Sequence, residues 1–166
     1  MGLALKDTEQ HCYSEYLHWP DNNYELIDGE AYFMTPAPNL EHQEVAGEIF
    51  RQIENALVGK KCRVLIAPID VRLPKKDEVD KYIDTVVQPD VLVVCDRHKL
   101  DRRGVREYWI IHPIDRVLTI YRLQNGEYGK AELLELSGST AISILDDVQI
   151  EWDDLLTRLP TADEWL

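Results

Sequence analysis

Apolar positions recur along the chain in two rhythms, and each rhythm predicts a different element. Val45, Ala46, Ile49, Phe50, Ile53 and Leu57 fall three and four residues apart, with Glu44, Glu48, Arg51 and Glu54 largely outside that stripe. A period near 3.6 predicts an amphipathic helix from about Leu40 to Val58, stopped by Gly59. A shorter helical face is made by Tyr13, Tyr16 and Leu17. Thr8 can cap it and Glu9 suits its first turn, while Trp19-Pro20 and the turn Asp21-Asn-Asn23 end it. Trp152 to Arg158 predicts a last short helix, stopped by Pro160.

The remaining apolar runs read as strands. Tyr24 to Met34 predicts a hairpin turning at Asp28-Gly29, and Thr35 to Asn39 a rigid connector. Arg63 to Ala67 and Asp70 to Leu73 are strands interrupted at Pro68, followed by a polar, charged loop over residues 74 to 85. Val91 to Val94 is a short β-branched run of the kind that suits a buried strand. Glu107 to His112 is joined through Pro113-Ile-Asp-Arg116 to Val117 to Leu123, and Asn125-Gly126 turns the chain into Lys130 to Leu136. The sum is a strand-rich α/β domain with one long helix early.

At 166 residues the chain is expected to form a single domain over 1–166, with enough length to bury a core. A hydrophobic content of 45% and a charged content of 30% suit a soluble globular protein, and no apolar run nears the length of a membrane span. The first residues carry no basic region leading into a long apolar segment, and Lys6 stands where a myristoylation signal needs Ser or Thr. Cys12, Cys62 and Cys95 are odd in number and have neither zinc-ligand nor redox spacing. Cys95, ending an apolar strand, is expected to be a small core residue. Together these features predict a reducing cytoplasm.

The formal net charge of −13 argues against a general nucleic-acid coat protein, because phosphate binding runs on lysine and arginine. The basic residues nevertheless gather in two stretches: Lys60, Lys61, Arg63, Arg72, Lys75 and Lys76, then Arg97, Lys99, Arg102, Arg103 and Arg106. These are either solvated loops or the flanks of a phosphate-facing cleft. The C-terminal part is acidic and reads as a solvated tail.

One segment carries candidate chemistry. In Val87-Gln-Pro-Asp90 a carboxylate stands where an apolar strand begins. Hydrolysis of a phosphodiester with Mg²⁺ needs hard oxygen ligands, a water activated on the metal and, commonly, a lysine that positions it. Asp90 suits a metal ligand; on its own it equally suits a turn at the start of a strand. Asp70, which follows the Ala67-Pro-Ile step, is a second candidate metal ligand if it faces the same cleft as Asp90, although adjacent strand carboxylates are usually solvated. His42, in the first turn of the long helix, is a candidate general base, although on chemistry alone it reads as a structural histidine. Tyr108 and Trp109 alternate on a strand and predict core packing for one of them. His11, His18, His98 and His112 lack metal-ligand spacing.

Taken in order, several stretches resemble a large bacterial family, the putative restriction endonucleases of the PD-(D/E)XK nuclease superfamily. They are Tyr24-Glu-Leu-Ile-Asp-Gly-Glu30, Met34-Thr-Pro-Ala-Pro38, the His42-Gln43 helix start, Ala67-Pro-Ile-Asp-Val-Arg-Leu73, Val86 to Asp96, Lys99-Leu-Asp101, Gly104-Val-Arg-Glu-Tyr-Trp-Ile110 and Val117 to Leu123. The resemblance implies a restriction-endonuclease-like mixed β-sheet flanked by helices, Mg²⁺ as cofactor, DNA as substrate and Asp90 as the metal-binding aspartate.

The family pattern next places a strand with a catalytic glutamate and a helix with a lysine before the Gly-Val-x-Glu-Tyr-Trp strand. Here Asp101-Arg-Arg runs straight into Gly104, so one central strand and one helix, roughly thirty residues with their connections, are missing. Glu107 is the carboxylate that would approach Asp90 if its strand took the vacant place, but Trp109 stands where a lysine is needed. Catalysis is therefore expected to be weak or lost. The alternative is a non-catalytic, self-associating or regulatory interaction protein. A vacated sheet edge invites pairing with a second copy, so a homodimer is expected.

Overall fold

The Asp28-Gly29 step sets the first sheet. Asp28 has φ 50° and Gly29 φ 81°, so the chain reverses within two residues and Leu26 and Ile27 face Ala31 and Glu30 across an antiparallel pair. This computed structural model describes residues 6–7, 9–20, 23–34, 40–75, 78–96 and 105–159. Thr8, the connector Thr35 to Asn39, the junction after Asp101 and Pro160 lie outside the described residues. The first helix begins later than expected: its cap falls at Cys12, whose N–H donates to Glu15 Oε2 at 3.0 Å, so the cap is not at Thr8 and Glu9 precedes the first turn.

The elements in chain order begin with β1 (Lys6–Asp7), α1 (Tyr13–Tyr16), β2 (Tyr24–Ile27), β3 (Glu30–Phe33) and α2 (Leu40–Leu57). Next are β4 (Arg63–Ile66), β5 (Val71–Arg72), a single 3-10 turn (Asp80–Tyr82), β6 (Val86–Val87) and β7 (Val91–Val94). The remainder are β8 (Glu107–His112), β9 (Val117–Gln124), β10 (Glu127–Tyr128), β11 (Glu132–Glu135), β12 (Ser139–Ala141), β13 (Gln149–Glu151) and α3 (Asp153–Leu156). This mixed α/β content is what the apolar rhythm predicts. Among the described residues no helix is long and apolar enough to cross a membrane.

The chain forms two units, each built from two separated segments: Met1–Pro38 with Ile66–Gly104, and Asn39–Leu65 with Val105–Leu166. In the first unit the strands run β1-β3-β2-β6-β5, with antiparallel pairing throughout. Tyr16, Leu26 and Val86 are buried together, and Tyr13, Trp19 and Tyr24 pack around them. Ring centroids 5.2 Å apart join Trp19 to Tyr24, and 5.1 Å join Tyr24 to Phe33, within the range of favourable edge contacts.

The stretch after β5, expected to be a polar loop, is anchored instead. Ile83 is fully buried and its carbonyl accepts the Tyr13 N–H at 2.7 Å, while the Leu73 N–H donates to the Thr85 carbonyl at 2.9 Å. The Lys75 ammonium lies 2.6 Å from Asp84 and 2.9 Å from Asp28, which ties this stretch to the hairpin turn. Cys95, expected in the core as a small apolar residue, is exposed at the end of β7 and is disulfide-bonded.

In the second unit β8 pairs with β9 over six positions, from Glu107 opposite Arg122 to His112 opposite Val117. β11 lies on the other side of β9, and β10 closes the hairpin at Asn125-Gly126, where both residues have positive φ. β12 and β13 form a second antiparallel pair. α2 is fastened to β13 by Gln52, whose side chain donates to the Glu151 carbonyl at 3.0 Å and accepts its N–H at 2.7 Å.

Val45, Ile49, Ile53 and Leu57 of α2 are buried as its periodicity predicts. Glu48, expected outside the stripe, is buried as well. Arg51 Nε bonds its carboxylate at 2.9 Å and Arg158 reaches it at 3.3 Å, and that pairing compensates the loss of water. The acidic C-terminal stretch is not a solvated tail. Asp146, Asp147, Asp153 and Asp154 are exposed, but Leu145, Val148, Ile150, Trp152 and Leu155 between them are buried. Trp152 is fully enclosed, its ring N–H donating to Thr140 Oγ1 at 2.8 Å and its ring 6.4 Å from that of Trp109.

Candidate active site

Asp90 sits between β6 and β7, and the residues before it explain its placement. Val86 anchors β6 in the first unit's core, so the chain leaves the sheet at a fixed point. Gln88 then makes three described bonds. Its backbone N–H donates to Glu25 Oε1 at 2.8 Å, and its side-chain amide donates to Asp70 Oδ1 at 2.9 Å and to the Tyr16 hydroxyl at 3.1 Å. Pro89 has no N–H to satisfy. The Asp90 carbonyl accepts the Ala67 N–H at 2.9 Å, which brings the 67–70 segment alongside. Asp90 itself is exposed.

Asp70 is exposed too, but its Oδ1 is engaged. The Tyr16 hydroxyl donates to it at 2.9 Å, alongside the Gln88 amide. Tyr16 is pushed up to about 12, first by burial and then by its bond to Asp70 and the charges of Asp70 and Glu25, against the opposing Gln88 bond. It therefore remains a protonated donor at neutral pH. Asp70 and Asp90 are thus carried by neighbouring segments of one unit. Tyr16, Gln88 and Glu25 join them, three residues beyond the candidates that the sequence offers. A polar residue two places before Asp90 was the signal for Gln88; nothing local marks Glu25.

The other candidates lie in the second unit. His42 is half-buried in the first turn of α2. Glu107 is buried on β8, with Oε1 accepting the Trp109 ring N–H at 2.7 Å. Its Oε2 meets Arg122 Nε at 3.0 Å and the Ser143 hydroxyl. Arg122 also pairs with Glu132. Each oxygen of Glu107 is therefore engaged, and a metal ion there would have to displace donors that already neutralise a buried charge.

A family model for Uma2, described as putative restriction endonuclease, matches residues 13–103. The chain belongs to the Uma2 family. The match takes in α1, Asp70 and Asp90, and ends before Glu107. A crystal structure of a putative nuclease belonging to DUF820 from Anabaena variabilis is similar over 87% of this chain and 96% of that one. The TM-score is 0.63 at 16% sequence identity, so the likeness is one of fold. No curated protein matches the chain.

The Uma2 relationship brings a divalent metal into question, since restriction-endonuclease-like families generally use one. The donor set does not fit that role well. Among the described residues no group of three or more His, Cys, Asp and Glu converges. Asp70 spends one oxygen on two neutral donors. Lys75 is unsuited to proton transfer: the carboxylates of Asp84, first, and Asp28 hold its ammonium well above the ordinary lysine range. Mg²⁺ prefers near-octahedral oxygen ligation from carboxylates, water and phosphate. Among the described residues the Asp90 and Asp70 carboxylates stand on adjoining segments to begin such a shell, while Glu25 beside them already accepts the Gln88 N–H.

Proposed function

We propose that this Uma2-family chain is a nuclease-fold protein in which Mg²⁺-dependent phosphodiester hydrolysis, centred on Asp90 with Asp70 as its acidic neighbour, is weak or lost. DNA is the substrate class to which such a site answers. The observation that carries this reading is the engagement of Glu107: the one carboxylate available to replace the missing glutamate spends both oxygens on Trp109, Arg122 and Ser143. In the sequence, Asp101-Arg-Arg runs into Gly104 without the strand and helix in which the family resemblance places the glutamate and lysine.

The test is plasmid nicking with Mg²⁺ or Mn²⁺, with this chain compared to Asp90→Ala. The expected result is no cleavage, or traces that disappear on substitution. Robust cleavage by the unaltered chain that Asp90→Ala abolishes overturns the reading. Addition of Glu107→Gln to the series decides whether that carboxylate contributes.

A second reading, a non-catalytic self-associating or regulatory interaction protein, is favoured over DNA cleavage by the net charge of −13, which opposes close approach to a polyanion. Light scattering at micromolar concentration tests it, and a monomer removes its support.

A further inference from the structure

The three residues before β7 are gripped from three directions. Glu25 of β2 accepts the Gln88 N–H at 2.8 Å, Asp70 and Tyr16 accept the Gln88 amide at 2.9 and 3.1 Å, and Ala67 donates to the Asp90 carbonyl at 2.9 Å. Every group in this set lies in the first unit. Tyr16 also closes the circuit by donating to Asp70 at 2.9 Å, and its ring is part of the buried cluster with Leu26 and Val86.

A strand-end aspartate has no sheet partner to fix its backbone beyond its last ladder bond. A glutamine at that point presents two donors and one acceptor from a side chain long enough to reach a neighbouring strand. Here the amide goes to Asp70 on one side and the N–H to Glu25 on the other. Rotation of the Gln88–Asp90 segment about its ends would have to break a bond to a carboxylate, and charge-assisted bonds are the stronger kind. None of these partners is needed to hold a cation for the grip to operate.

We propose that Gln88 is the positioning residue of Asp90: its amide, locked between Asp70 and Tyr16, sets where the Asp90 backbone lies against Ala67. The inference rests on the reading above only in taking Asp90 as the functional aspartate. It concerns the geometry of the segment, whether or not hydrolysis survives. It assigns Asp70 a second task as well. As the acceptor that pins Gln88, Asp70 shapes the site through Gln88 rather than through a metal alone.

The experiment is amide hydrogen exchange on the full chain, read at Ala67 and, as a control for the unit's core, at Leu26. Gln88→Glu removes the donor and sets two carboxylates against each other. The expected effect is exchange at Ala67 faster by about tenfold, with Leu26 unchanged. Asp70→Asn combined with Gln88→Glu exchanges donor and acceptor, and should restore Ala67 to within about twofold of the unaltered chain, as a direct pairwise contact requires. Tyr16→Phe, which keeps the ring and removes one partner of the amide, serves if Gln88→Glu does not fold, and should accelerate Ala67 by a smaller factor. Unchanged exchange at Ala67 overturns the proposal. So does equal acceleration at Ala67 and Leu26, or failure of the exchanged pair to recover. Plasmid cleavage enters none of these readouts, so this proposal and the loss of hydrolysis fail independently.

Discussion

Glu107 and Arg122 face each other across the β8–β9 ladder, the carboxylate 1% exposed and 3.0 Å from the guanidinium. The pair neutralises a charge that the surrounding Trp109 and Ser143 satisfy but do not cancel. Truncation of Arg122 to Ala leaves that carboxylate buried without its cation. Loss of one partner of a buried pair costs about 3 to 5 kcal/mol, and the one-third exposure of Arg122 places this case near about 3 kcal/mol. Replacement of both residues together, as Glu107→Leu with Arg122→Met, should recover most of that loss. Urea unfolding of the two variants checks this, and a double variant no more stable than Arg122→Ala contradicts it.

Glu48 makes acid stability depend on α2. Its carboxyl is held at about 2, foremost by the Arg51 hydrogen bond against the opposing effect of burial, with Gln52 and Arg158 adding to the depression. The folded value thus lies below the unfolded one. The unfolded chain binds the proton first as pH falls, so the stabilisation is complete above about 4.5 and lost towards about 2. After discount for the half-exposed arginines, that stabilisation is about 2 kcal/mol. Urea midpoints at pH 5 and pH 2 should therefore fall less for Glu48→Gln than for the unaltered chain. Parallel losses in the two proteins would show that the Glu48 cluster does not govern the acid limb.

Much of the fold was legible where one local rule decides. The Asp28-Gly29 turn, the α2 stripe and the β8–β9 hairpin each follow from turn chemistry or from a sustained period. β6 and Ile83 were not legible, because two or three apolar residues inside a charged stretch form no period; their burial comes from Tyr13 and Leu26 elsewhere in the chain. Glu48 misled for a related reason: Arg51 lies one turn away, but Arg158, which also reaches the carboxylate, lies far along the sequence. The site divides in the same way. Asp70 and Asp90 announce themselves as carboxylates beside strands, whereas Tyr16 acquires its role only through contacts 54 and 72 residues away. In the sequence it is one position on an apolar helical face.

Gly29 tests the hairpin directly. At φ 81° it occupies the left-handed region, and a Cβ there would come within 2.5 Å of Gln10 Oε1 and 3.4 Å of the His11 carbonyl. The glutamine can swing away, but the backbone conformation cannot change without loss of the Gly29 N–H bond to the Asp84 carbonyl at 2.7 Å. Gly29→Ala should therefore destabilise the first unit by about 1 to 2 kcal/mol. Thermal melting checks it, and a stability equal to or above that of the unaltered chain would show that the turn relaxes freely.

A metal that binds the folded chain must also stabilise it. At about 10 mM Mg²⁺, a site with a Kd of about 0.1 mM would add about 2.7 kcal/mol. For a chain of this length that corresponds to a rise in Tm of about 5 to 10 °C. Two carboxylates, one of them with an oxygen already bonded to Tyr16 and Gln88, cannot build such affinity without more ligands, because Mg²⁺ gives up its water reluctantly. The expected shift between chelator and Mg²⁺ is therefore below about 1 °C. Sodium chloride at equal ionic strength separates specific binding from charge screening of the acidic surface. A Mg²⁺-specific rise of several degrees that vanishes in Asp90→Ala would mean that the ligand set around Asp90 is more complete than the described carboxylates provide, and hydrolysis would then be the function to pursue.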